Sequence, residues 1–175
     1  MSLTAAVTFA VVLPGLLVAH TVADHWGQTG HQAAAKGRPG RAGRVACASH
    51  VAVYTAVTAA AVALLWAVLD LTISPAGFLA GQVVSAVTHY WADRRTTLAK
   101  LAALVGKAEF YALGAPREVI ALTDTDTKVR LYRADASGAE VSWDNPSLGT
   151  GAYALDQSWH WLWLLVAALL TAVVS

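Results

Sequence analysis

LTAAVTFAVVLPGLLVAHTVAD, residues 3–24, is almost unbroken apolar chain, yet it ends in two residues that lipid does not accommodate, His20 and Asp24. About 20 mainly apolar residues are needed for a helix to cross the hydrocarbon layer, and this run supplies them. It lacks the basic opening of a signal peptide and continues into a polar helical segment, so it reads as a retained span, kinked near Pro14. Working outward, Val45–Leu69, Ile73–Trp91 and Tyr153–Val174 read the same way, and Asp70–Ser74 leaves room only for a tight turn. The expectation is an all-α membrane protein, a four-helix transmembrane bundle.

Composition agrees. Of 175 residues, 57% are hydrophobic and 13% charged, where soluble domains average about 45–50% and about 25%; mean hydropathy is +0.51. A net charge of +1 argues against nucleic acid as a partner, and the single Cys47 excludes a disulfide or a thiolate zinc site. All 12 Lys and Arg residues fall between runs one and two or between three and four. The positive-inside rule therefore predicts two cytoplasmic loops and both termini outside. Residues 1–114 then hold three spans and an interfacial helix over Thr96–Tyr111, residues 115–151 an insertion, and residues 152–175 the fourth span. Within the insertion Glu118–Leu122, Val129–Arg133 and Glu140–Trp143 alternate apolar and polar residues around the turn signal Ala136-Ser137-Gly138. This predicts a small cytoplasmic β-hairpin that packs on the membrane face or binds a protein partner. Gly77 and Gly81 form a GxxxG, a signal for close helix packing.

The polar residues inside these runs follow a pattern. The first run ends in His20-x3-Asp24, the third in His89-x3-Asp93, the fourth begins with Asp156-x3-His160, and His50 opens the second. Residues four apart share a helix face. The motif inverts where helix direction inverts, which predicts one layer of carboxylates, Asp24, Asp93 and Asp156, beside one layer of imidazoles, His20, His50, His89 and His160. Ionisable groups at membrane depth are costly unless paired, ligated or hydrated. Imidazole and carboxylate together suit zinc, iron or manganese, and these seven groups suffice for one or two divalent ions. Gln28, His31, Tyr54, Gln82, Ser85 and Gln157 extend the same faces as a supporting shell, while Lys36, Arg94 and Arg95 at the opening are candidates to hold an anionic lipid or phosphoester.

The segments VAHTVADHWGQTGHQAAAKG, ASHVAVY, THYWADRR and ALDQSWHW resemble an uncharacterised family of small bacterial membrane proteins classified only as a domain of unknown function. The family pattern falls here on His20, Asp24, Gln28, Lys36, His50, His89, Asp93, Asp156, Gln157 and His160. The resemblance implies a bacterial inner-membrane protein and brings no activity. A looser similarity is to bacterial membrane-bound proteins labelled metal-dependent hydrolases.

Three functions fit this reading. A metal-dependent hydrolase of a phosphoester or lipid would use Asp24, Asp93 or Asp156 as general base and keep a coordination position open. A non-catalytic structural or interaction module would have a closed or purely hydrogen-bonded His/Asp core. Transport, the third, sits poorly with residues gathered toward one face, because transporter sites usually lie at the midplane.

Overall fold

The computed structural model describes residues 2–114, 119–123, 129–133 and 150–174. By contacts the chain divides into two units, Met1–Leu98 with Gln157–Ser175, and Ala99–Asp156.

The first unit is helical. Ser2 caps α1 (Leu3–Val22) by accepting from the Ala5 N–H. Its buried residues, Thr8, Val12, Leu16, Ala19 and His20, recur at the three-to-four spacing of one helix face. The helix continues into a π-helical turn, Ala23–Gly27, which carries Asp24. Gln28 is extended, and Thr29 opens α2 (Gly30–Ala35) through a reciprocal capping box with Gln32. Next comes α3 (Gly40–Val68), burying Cys47, His50, Tyr54, Thr58 and Val62 along one stripe. Asp70 sits at φ 48°, in the left-handed region that ends a helix. Ser74 then caps α4 (Pro75–Asp93), with Pro75 in the first turn, where its missing N–H costs nothing.

Contacts fix the helix directions. The end of α1 meets the first half of α3 through Asp24 and His50, and Thr8 near its start reaches the Thr72 carbonyl at 3.5 Å. His50 meets His89 while Tyr54 meets Ser85, so α3 and α4 are antiparallel. The last helix, α7 (Gly151–Val173), runs against α4, with Trp159 on the Thr88 carbonyl and Ser74 on that of Val174. An apolar core of Val12, Leu16, Val62, Leu71, Ile73, Leu164, Ala167 and Ala168 fills one end; the buried histidines and carboxylates occupy the other. Gly77 and Gly81 let the backbones of α4 and α7 touch, because a Cβ on Gly81 would lie 2.9 Å from the Ala167 carbonyl oxygen.

The second unit holds most of α5 (Thr96–Leu104), α6 (Ala108–Ala112), the start of α7 and two short strands. Strand β1 (Val119–Thr123) pairs antiparallel with β2 (Val129–Arg133), Val119 opposite Arg133 and Thr123 opposite Val129.

The expected fold class needs correction on two points. Among the described residues only Leu3–Gly27 and Gly40–Val68 are long and apolar enough to cross a membrane, by length and composition, so the four-span bundle does not stand. The cause is local: α4 carries Gln82, Ser85, Thr88 and His89 in its 19 residues, and the early turns of α7 hold Asp156, Gln157, Ser158 and His160. The hairpin expected about Ala136-Ser137-Gly138 is not what the described residues form either. Residues 129–133 pair with the run before them, and both that turn and Glu140–Trp143 lie outside the described residues. Two five-residue strands are the only sheet among the described residues, and the architecture is helical.

Candidate metal centre

Three elements bring their polar residues to one point. The π turn presents Asp24, α3 presents His50, and α4 presents His89 and Asp93. His50 Nε2 lies 3.1 Å from His89 Nε2, 3.3 Å from Asp24 Oδ1 and 3.2 Å from Asp93 Oδ2. His89 Nε2 lies 3.4 Å from Asp24 Oδ1 and 3.3 Å from Asp93 Oδ2. All four side chains are buried or nearly so; Asp24 at 11% is the most exposed.

Hydrogen bonding alone does not account for this convergence. Each Nε2 carries one proton or one lone pair, never both, yet each faces three close heteroatoms. Among the described residues Asp24 Oδ1 and Asp93 Oδ2 are buried without a hydrogen-bond partner, and two carboxylates sharing one buried cluster repel. A cation would resolve the conflict, and these are groups that could hold one. Five of the six edges of the donor quartet fall between 3.1 and 3.4 Å. Donor atoms about 3.3 Å apart are spaced as ligands about 2.0 Å from a shared tetrahedral ion would be, the bond length zinc adopts to imidazole and carboxylate.

The remaining oxygens have other partners. Asp24 Oδ2 faces His20 Nδ1 at 3.6 Å, and Asp93 Oδ1 is ion-paired with Lys36 Nζ at 2.8 Å. Each carboxylate therefore directs one oxygen into the quartet and the other to an orienting group, as ligands in metal sites do. Burial raises the Asp93 pKa, but the imidazoles of His50 and His89 close against it and the charge of Lys36 hold it well below the usual carboxylate range. His20 is fully buried and stacks on His160, ring centroids 4.9 Å apart. Tyr54 stacks on His89 at 3.8 Å and bonds the Ser85 hydroxyl at 2.6 Å, which fixes the imidazole plane.

The other residues singled out in the sequence lie as follows. Gln82 accepts from Thr58 one turn deeper, at 3.0 Å. Gln28 is half-buried at the end of the π turn, and His31 is exposed on α2. Asp156 and Gln157 lie in the early turns of α7, half-buried, with Asp156 in the second unit. Arg94 donates to the carbonyls of Lys36 and Arg38, and Arg95 to that of Ala33; these contacts tie the segment after α2 to the end of α4. Two features escaped the sequence reading. One is the π turn under Asp24, for which no sequence signal exists beyond the nearby Gly27. The other is Gln32, whose Thr29-x2-Gln32 capping box was legible and whose amide also reaches Ser49.

These observations define a class: a helical protein with two helices able by length and composition to cross a membrane, and with buried His/Asp groups that could hold a metal ion. The chain belongs to the family described as a protein of unknown function, DUF3307, whose model matches residues 12–175 and so takes in every residue of the site. No curated protein and no solved structure matches it.

Proposed function

We propose that this chain is a membrane-associated divalent-metal-binding protein of the bacterial inner membrane, its ion held by Asp24, His50, His89 and Asp93. The observation that carries the reading is the quartet of donor atoms at 3.1–3.4 Å, a spacing that fits a tetrahedral ion and strands protons and charges otherwise. Two imidazoles and two carboxylates in a tetrahedron favour zinc over manganese, which prefers more oxygen ligands. Four protein ligands also close the coordination shell, the pattern of a holding site.

A metal-dependent hydrolase acting on a phosphoester or lipid is the second reading, favoured by one observation. Asp24 is the most solvent-exposed of the four ligands, so water has one place to enter if that carboxylate yields its position and acts as base.

The test is elemental analysis of detergent-purified protein, wild type beside His89→Ala and Asp93→Asn. The expected result is one divalent ion per chain in the wild type and loss from both variants. Folded wild type that takes up no metal after reconstitution rejects the proposal in favour of a hydrogen-bonded structural core.

A further inference from the structure

We infer that Lys36 is a positioning residue that sets the coordination number of the site by occupying one oxygen of Asp93. A carboxylate with both oxygens free binds a cation through one or both. Here the Lys36 ammonium lies 2.8 Å from Asp93 Oδ1, while Oδ2 faces His50 and His89 at 3.2 and 3.3 Å. That ammonium takes up a lone pair of Oδ1 and holds a positive charge against it, which makes Oδ1 a poorer donor to a cation. Asp93 is left with one oxygen to give.

The lysine is held for this role from both sides. Lys36 ends α2, its N–H bonded to the Gln32 carbonyl, and Gln32 is fixed by the Thr29 cap and by Ser49. From the other side the Arg94 guanidinium, adjacent in sequence to Asp93, donates to the carbonyls of Lys36 and Arg38. Arg95 packs on Gly37 so closely that a Cβ there would meet its Cδ at 2.8 Å. The arginines at the end of α4 thus clamp the backbone that carries the lysine, and the lysine clamps the carboxylate that α4 presents.

This inference rests on the metal reading above. Its test loads the full chain in detergent with cobalt(II), whose visible absorption is intense in tetrahedral sites and weak at higher coordination. Metal content is measured alongside. Wild type should show the intense band. Lys36→Met should keep one cobalt per chain while the band weakens severalfold and shifts, because Asp93 becomes free to chelate. Arg41→Met, which removes an exposed cation from the same region, should match the wild type. A folded Lys36→Met with the wild-type band overturns the inference and leaves the metal reading intact; a wild type that binds no cobalt removes both. Should Lys36→Met fail to fold, Arg94→Met decides, since loosening the clamp should weaken the band in the same direction and an unchanged band overturns the role assigned to Lys36.

Discussion

Asp93 shows how much depends on which oxygen of a carboxylate faces which neighbour. Its pKa lies below the ordinary value of about 3.9, because burial is outweighed by the close imidazoles of His50 and His89 and the charge of Lys36. A depressed folded-state pKa contributes stability that is complete above the unfolded value and is lost as pH falls through the folded one. Metal-free wild type should therefore lose stability more steeply than Asp93→Asn below about pH 4, with the two unfolding midpoints converging toward acid. Parallel acid limbs would contradict this. The convergence of His89 and Asp93 was legible in sequence, because i, i+4 spacing on a helix puts them on one face whatever surrounds them. The partners of their outer atoms were not. Lys36 is ion-paired with Asp93 from the end of α2, a contact that no periodicity encodes. His20 shares its face with Asp24 as the spacing requires, yet it lies against the carboxylate oxygen that points away from the quartet.

At the scale of elements, α4 carries two different interfaces on one helix. Its first half is Gly77 and Gly81, against the last turns of α7; its second half is His89 and Asp93, against α3 and the π turn. The GxxxG was readable because only glycine permits backbones this close. A valine at Gly81 would strike the Ala167 carbonyl and the Thr171 side chain, and α7 would have to move as a unit. Gly81→Val should cost about 1–3 kcal/mol, the usual range for overpacking, in a thermal or denaturant unfolding measurement, with reduced metal retention as a consequence. A neutral result would mean that the contact is not tight. Helix existence was legible from hydropathy and caps; which helices pass as membrane spans was not, because the residues that build the site make α4 and α7 too polar. The pairing of β1 with β2 was misread for another reason: alternation marks a strand but does not choose its partner.

Among the described residues of the molecule, large apolar side chains lie outside while a part of the interior is polar. Large apolar residues such as Val18, Leu64, Leu79 and Val87 are exposed, while His20, His50, Thr58, Gln82 and His89 are buried. A buried polar cluster gains little from the hydrophobic effect, so the donor end of the first unit is where an ion would add most to stability. The apolar core lies at the other end. If an ion sits in the quartet, it joins the extension of α1 to α3 and α4, and its binding free energy becomes folding free energy. A ligand that binds only the folded state adds about 2.7 kcal/mol at a hundredfold excess over its Kd. Zinc should therefore raise the unfolding midpoint of the chelator-treated wild type by several degrees and leave Asp93→Asn unchanged. A hydrogen-bonded core predicts the opposite, a midpoint indifferent to zinc and chelator, because such a core is complete without an ion. The two behaviours separate a site that holds metal from a polar seam that only resembles one, and they do so without knowing any substrate.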